Sequence, residues 1–331
     1  MKLLAKELKK IITNSRNIVI TTHRGPDGDA MGSSLALFNF LKKDNNVTVI
    51  TPNDYANFLN WLPGNSNAIE FIGNENKCKS ITENADLIFM LDFNDISRAD
   101  KYGELLKKSN AKKVLIDHHQ DPDHSIADLI FSDTSSSSTC QLLFEILEHM
   151  GYSDSLDKDI ATCLYVGIMT DTGSFKYNST TSKTHEVVSK LINYNIDNAS
   201  IHDSIYDNSS SDKMKLLGYC LNEKLLLYPE NNAAIISLNN DELKRFKFKK
   251  GDTEGIVNYG LAIKGINIAV LIVERGDVVK LSLRSKGNIK VNEIANEYFN
   301  GGGHINASGG ISYVSVNETI IKLENIFKTK F

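Results

Sequence analysis

The stretch His23-Arg24-Gly25-Pro26-Asp27-Gly28-Asp29 crowds one imidazole and two carboxylates into a short, glycine-broken loop. Held close together without a counter-charge, such groups would repel one another and desolvate at high cost, and a divalent cation removes both penalties. The plain alternative is an acidic loop with a stray histidine, because short motifs carry a false-positive risk. Three further groups bear on the choice: Asp92, the triplet Asp117-His118-His119, and Asp171. Taken singly, each has an ordinary explanation. Asp92 could cap a helix, His118 and His119 could be one core and one surface histidine, and Asp171 could close a helix. Taken together, His23, Asp27, Asp29, Asp92, His118, His119 and Asp171 offer four carboxylates and three imidazoles, too many for one ordinary ion. Two cations roughly 3.5–4 Å apart, sharing a carboxylate and a water, would use them. Oxygen-rich ligation with some imidazole favours Mn2+ or Mg2+ over Fe or Zn. Such a pair acidifies the shared water and neutralises charge on a phosphoryl group, so the set points to metal-assisted phosphoester hydrolysis.

The elements around these residues place them at one edge of a sheet. Ile18-Val19-Ile20 reads as a buried strand, and Gly25, Pro26 and Gly28 break it into a loop before a helix over residues 30–41. Residues 47–50, 86–91 and 113–116 read as further strands, the last two ending in Asp92 and in Asp117-His118-His119. Near-continuous Val/Ile/Leu runs mean strands buried on both faces, hence a parallel sheet. Helices are expected over residues 102–109, 139–150, 158–170 and 183–194, with Gly173 as a stop signal just beyond Asp171. Right-handed crossovers bring the carboxyl ends of such strands to one edge, where ligands bind in open α/β sheets. Residues 134–139 read as a helix N-cap region. Asp121, Asp123 and His124 lie in an Asp-Pro-Asp loop and read as solvated, and His149, His185 and His202 read as surface residues.

A chain of 331 residues allows two domains. Its apolar and charged fractions are those of an ordinary soluble protein, and a net charge of −4 supplies no global field for long nucleic acid. Cys78, Cys140, Cys163 and Cys220 form no C-x-x-C pair, which fits a reducing compartment. The charged opening (Lys2, Lys6, Glu7, Lys9, Lys10) reads as an amphipathic helix and not a signal peptide, and no apolar run is long enough to span a bilayer. The expectation is a cytoplasmic protein with no membrane contact.

The second half has a different texture. The polar stretch around residues 195–212 marks a boundary, and residues 214–227 read as a helix bridging the halves. Strands are expected over residues 233–238, 268–273 and 278–284, with Arg275-Gly276-Asp277 as a hairpin turn, and a helix over residues 291–299. The glycines of Gly301-Gly302-Gly303-His304 let backbone N–H groups approach an anion, and Arg284 offers a planar fork for phosphate. The plain alternative is a glycine-rich helix-to-helix turn and a surface arginine. Arg98 is a weaker phosphate-contact candidate.

The ordered set His23-x-x-x-Asp27-x-Asp29, Asp92, Asp117-His118-His119 and Asp171 resembles the four motifs of the DHH phosphoesterase superfamily. Gly301-Gly302-Gly303-His304-x-x-Ala307-Ser308-Gly309 resembles the signature of its DHHA1 companion domain. The resemblance runs from about residue 18 to residue 310 and is greatest to the branch that degrades nanoRNA. It implies a parallel-sheet DHH catalytic domain over residues 1–194, a linker and bridging helix over 195–227, and a smaller α/β DHHA1 domain over 228–331. It further implies that His23 and Asp27 hold one metal and Asp29, His118 and Asp171 the other, with Asp92 bridging. His119 would face the substrate phosphate, with Asp117 orienting an imidazole. Arg284, Gly302, Gly303 and His304 would bind the nucleotide. The implied activity is a Mn2+-dependent oligoribonuclease acting on short RNA or small nucleotides, and on 3′-phosphoadenosine 5′-phosphate, with a homodimer left open. Alternatives are a cyclic-dinucleotide phosphodiesterase, a pyrophosphatase, a RecJ-type exonuclease or a non-catalytic nucleotide sensor. The DHHA1-like signature speaks against the pyrophosphatase, and the complete ligand set speaks against the sensor.

Overall fold

The computed structural model describes residues 1–330 and divides into two compact units, Met1–Asn208 and a second beginning at Ser209. The first unit carries strands β1 (Asn17–Thr21), β2 (Asn46–Thr51), β3 (Ala68–Glu70), β4 (Leu87–Leu91), β5 (Lys112–Asp117) and β6 (Leu129–Ser132). Its helices are α1 (Lys2–Thr13), α2 (Gly28–Leu41), α3 (Glu75–Glu83), α4 (Gly103–Lys108), α5 (Thr139–His149), α6 (Lys158–Asp171), α7 (Ser182–Ile192) and α8 (Asn198–Tyr206). All strand pairs are parallel, in the order β3-β2-β1-β4-β5-β6. The chain runs outward from β1 to β3 and then returns to lay β4 beside β1. At such a reversal a crevice opens beyond the carboxyl ends of the two central strands.

Burial on both sheet faces explains the unbroken apolar runs. Every residue of β4 is buried. Leu87, Phe89 and Leu91 share one core with Ile18 and Ile20, while Ile88 and Met90 share the other with Val19. The helix α2 is buried at every position except Phe40, so it is a central helix and not an amphipathic surface one. It lies along α6. Glycines permit the close approach: a side chain at Gly28 would run into Thr170, and one at Gly167 into Cys140 Sγ and, at 2.7 Å, Asp29 Oδ1. This packing brings the start of α2, with Asp27 and Asp29, toward the end of α6, where Asp171 sits.

The second unit holds α9 (Ser211–Glu223), β7 (Leu225–Tyr228), β8 (Ala233–Leu238), α10 (Asn240–Arg245), α11 (Ile256–Leu261), β9 (Ile268–Arg275), β10 (Val278–Ser285), α12 (Val291–Phe299), β11 (Gly302–His304), β12 (Ala307–Ser312) and α13 (Val316–Lys330). Its mixed sheet runs β11-β12-β10-β9-β8-β7, with only β8 and β9 parallel. One face packs against α12 and α13, the other against α9, α10 and α11. Both units are α/β, as the alternation of strands and helices predicts for the first and the family resemblance implies for the second.

One expectation and one alternative reading are corrected here. The helix expected over residues 214–227 stops at Glu223, and Leu225–Tyr228 instead form an edge strand against β8. Sheet pairing satisfies the backbone there, overriding the helical propensity of the leucines. Gly302–His304 are not a helix-to-helix turn. They form β11, hairpinned onto β12. Gly303 sits at φ +137, and a side chain at Gly301 would collide with the Gly309 carbonyl, so the hairpin itself demands these glycines. The Arg275-Gly276-Asp277 turn is as expected, joining β9 to β10. No helix among the described residues is long and apolar enough to cross a membrane.

Candidate metal centre

Three strand ends and two helix ends converge on one cluster of side chains in the first unit. His23 follows β1, Asp92 follows β4, and Asp117-His118-His119 close β5. Asp27 and Asp29 flank the start of α2, and Asp171 is its neighbour from the end of α6. His23, Asp29, Asp92, Asp117, His118 and His119 are all buried.

Asp92 is the centre of the arrangement. Its Oδ2 lies 3.4 Å from His23 Nε2, and its Oδ1 lies 3.7 Å from His118 Nε2. One carboxylate thus turns an oxygen to each of two donor groups. His23, Asp27 and Asp92 form the first, with His23 Nε2 3.9 Å from Asp27 Oδ1. Asp29, His118 and Asp171 form the second, with His118 Nε2 3.3 Å from Asp171 Oδ2 and 3.8 Å from Asp29 Oδ2. Asp92 sits in the left-handed region, at φ +65. That conformation is uncommon outside glycine and is held here by its N–H, which donates to the Ile116 carbonyl at 3.0 Å.

Both central imidazoles are oriented by carbonyls. His23 Nδ1 lies 3.0 Å from the Arg24 carbonyl, and His118 Nδ1 lies 3.2 Å from that of Ser136. A carbonyl can only accept, so Nδ1 carries a proton in each ring and Nε2 is the atom turned toward the carboxylates. Metal-ligating histidines are held in this way. Burial lowers the pKa of His23, which keeps its lone pair available. Burial also acts to lower that of His118, but the charges of Asp171, Asp29 and Asp92 outweigh it and push the value up to about 9. Asp92 is raised well above the carboxylate range, first by burial and then by the charges of Asp29 and Asp27. An uncompensated buried charge costs several kcal/mol even after relaxation. The donor set, the ring orientations and the excess negative charge all fit two divalent cations.

His119 is set differently. Its Nδ1 lies 2.7 Å from Asp117 Oδ1, and its backbone N–H donates to Asp117 Oδ2 at 3.1 Å. The Asp117 carboxyl is held below its usual range: burial raises it, but the hydrogen bond and charge of His119 outweigh burial. An ionised carboxylate accepts, so His119 Nδ1 carries a proton. The two histidine rings meet edge-on, with centroids 5.0 Å apart.

Several contributors escape the sequence motifs. Asp29 Oδ2 accepts from the Thr139 N–H at 2.6 Å and its Oδ1 from the Cys140 N–H at 2.9 Å, both at the start of α5. The Thr139 hydroxyl donates to Asp92 Oδ1 at 2.9 Å. Only the serine run before Thr139 hinted at this, and it reads simply as an N-cap, a role Ser138 does fill. Arg98 belongs to the 3-10 turn Ile96–Tyr102; its carbonyl accepts the Arg24 N–H at 2.7 Å, and its charge adds to the burial that lowers the pKa of His23 and His119.

The groups set aside on sequence grounds stay apart from this cluster. Asp123 accepts two hydrogen bonds from Ser125, and His124 is exposed. His149 and His185 are exposed, but His202 is half-buried, with its Nε2 3.2 Å from the Tyr165 hydroxyl. In the second unit, Arg284 pairs with Ala307 on β12, which pairs with His304 on β11. Directly paired residues share a face, so Arg284 and His304 project from one row, about 10 Å apart at the strand spacing.

Residues 17–168 match the DHH family, N-terminal domain, and residues 232–328 match the DHHA1 domain. The bifunctional oligoribonuclease and PAP phosphatase NrnA of Bacillus subtilis (strain 168) is 31% identical over 312 residues, covering 93% of each chain. The cyclic-di-AMP phosphodiesterase GdpP of the same organism is 28% identical, over the whole of this chain and 50% of its own length. The crystal structure of an exopolyphosphatase-related protein from Bacteroides fragilis superposes with a TM-score of 0.94 at 36% identity, over 99% of this chain and 96% of that one.

Proposed function

The chain belongs to the DHH family, joining a DHH N-terminal domain to a DHHA1 domain, and on that premise we propose that it is a two-metal phosphoesterase of short oligoribonucleotides. It hydrolyses them, and dinucleotides such as linear di-adenylate, to mononucleotides, and it dephosphorylates 3′-phosphoadenosine 5′-phosphate to AMP. The observation that carries this reading is Asp92, whose two oxygens face two separate donor groups. The likeness to an oligoribonuclease and PAP phosphatase over nearly the full length of both chains supports the substrate class.

His23 and Asp27 would hold one cation, Asp29, His118 and Asp171 the other, and Asp92 would serve both. When bound, the cations supply an acidified water and neutralise phosphoryl charge. Carboxylate-rich ligation favours Mn2+, with Mg2+ second. His119 acts on the substrate: a phosphate arriving at its ring adds the negative charge that favours the imidazolium, which then donates to a phosphate oxygen. Asp117 holds the ring and balances the charge that develops on it. Arg284, Gly302, Gly303 and His304 bind the nucleotide and take no part in the chemistry. Arg284 presents a fork suited to phosphate. The buried, unpaired cysteines support a reducing, cytoplasmic setting.

The test is a substrate panel with Mn2+: linear di-adenylate with a 5′-phosphate, 3′-phosphoadenosine 5′-phosphate, cyclic di-AMP, pyrophosphate and a long single strand. The first two are hydrolysed fastest on this account. A second reading, hydrolysis of a cyclic dinucleotide, is favoured by the likeness to GdpP over the whole chain. Faster turnover of cyclic di-AMP than of the linear dinucleotide selects it.

A further inference from the structure

Thr139 is completely buried at the start of α5 and touches two of the candidate metal ligands at once. Its N–H donates to Asp29 Oδ2 at 2.6 Å and its hydroxyl to Asp92 Oδ1 at 2.9 Å. Helix architecture does not call for that hydroxyl, because Ser138 already caps α5 by accepting the Gln141 N–H at 3.0 Å. A space-filling role does not call for it either, since valine would fill the same volume.

Resting on the two-cation reading above, we propose that Thr139 is the positioning residue of the shared carboxylate. Its hydroxyl fixes the plane of Asp92, so that one oxygen serves each donor group. A carboxylate otherwise turns freely about its last torsion, which is broad and two-fold. Turning would move Oδ2 off His23 Nε2, at 3.4 Å, and Oδ1 off His118 Nε2, at 3.7 Å. Each carboxylate oxygen has two lone pairs, so Oδ1 can accept from the hydroxyl and still ligate a cation. The β-branched side chain restricts χ1, which makes threonine a stiffer anchor than serine. The backbone N–H of the same residue, with that of Cys140, pins Asp29 from the positive end of an eleven-residue helix. Thr139 thereby ties a ligand of the second group to the carboxylate shared by both.

The experiment compares wild type, T139V and T139S as full-length, metal-stripped proteins titrated with Mn2+. Binding is read by calorimetry, and the coupling of the two ions by electron paramagnetic resonance. T139V should bind Mn2+ about 10- to 100-fold more weakly, the range for lost outer-shell partners, with the spin-coupled signal replaced by that of isolated ions. T139S keeps the donor and should stay close to wild type. The metal-free proteins should melt with the same cooperativity. Should T139V not fold, T139A against T139S asks the same question, with serine retaining tight, coupled binding and alanine losing it. Wild-type affinity and coupling in T139V, or equal impairment of T139S and T139V, overturns the proposal. A wild-type protein that takes up no Mn2+ overturns the two-cation reading itself, and the proposal with it.

Discussion

Asp117 and His119 are joined twice, ring Nδ1 to Oδ1 at 2.7 Å and backbone N–H to Oδ2 at 3.1 Å. The second bond locks the carboxylate so that the first fixes both the tautomer and the tilt of the imidazole. Asp117 and His119 group with Asp92, outside the sets of donors around His23 and Asp27 and around Asp29 and Asp171, and the Nδ1 that faces Asp92 is already engaged by Asp117. D117N should therefore lower kcat while leaving metal content near normal. A misplaced ring proton costs up to about 10⁴-fold in a comparable carboxylate–histidine pair. H119A should cut kcat about 10²- to 10⁴-fold, the usual worth of a positioned acid–base group. Metal analysis beside kinetics checks both, and loss of both metals in H119A with retention in H118A would reverse the roles of the tandem histidines.

G167A tests the packing that brings α2 to α6. The new methyl group would press on Cys140 Sγ and on Asp29 Oδ1. Overpacking of this kind costs about 1–3 kcal/mol. The expected result is a lower melting temperature together with weaker metal binding, because Asp29 must shift. Unchanged metal affinity in a destabilised variant would mean that Asp29 is not a ligand.

Arg284 and His304 share a row of the second sheet through Ala307. R284A should raise KM for short 5′-phosphorylated oligonucleotides while metal content stays normal. A minimal phosphoester that engages only the first unit should be hydrolysed equally by both proteins. Equal impairment on both substrates would place Arg284 at the scissile phosphate or in the fold.

The strand ends of the first unit were legible in the sequence because parallel strands buried on both faces leave unbroken apolar runs. Asp92 and Asp117 each follow one directly, and His23 follows one after two threonines. Such a run marks its own end, so strand, edge and ligand could be read together. The second unit was less legible. β7 is an edge strand with Leu226 and Leu227 exposed, so its pattern lacks a clean period. β11 is made of glycines and a histidine, whose strand form depends entirely on pairing with β12. The contribution of Thr139 was hidden for another reason. Its backbone N–H and hydroxyl bond carboxylates 110 and 47 positions away, a relationship that no local spacing encodes.

Acid stability of the second unit should depend on Glu242. Burial raises its pKa, but the hydrogen bond from Lys224, the Asn239 N–H and the Tyr219 hydroxyl outweigh it and hold the carboxyl below its ordinary value of 4.5. A carboxyl lowered on folding stabilises the fold above its unfolded pKa and loses that contribution as pH falls through the folded one. The melting temperature of wild type should therefore drop below about pH 4.5 more steeply than that of E242Q, and E242Q should be the less stable at pH 7. Parallel pH profiles for the two proteins would remove Glu242 from the account.

The central claim is that hydrolysis belongs to two cations held around Asp92. The most direct measurement is turnover of linear di-adenylate by exhaustively chelated protein during stepwise return of Mn2+, with the same titration on D92A. The account predicts no turnover after chelation, recovery that saturates at two Mn2+ per chain with AMP as product, and no recovery in D92A. Full turnover after exhaustive chelation, or a D92A protein restored by Mn2+ to the wild-type rate, would contradict it.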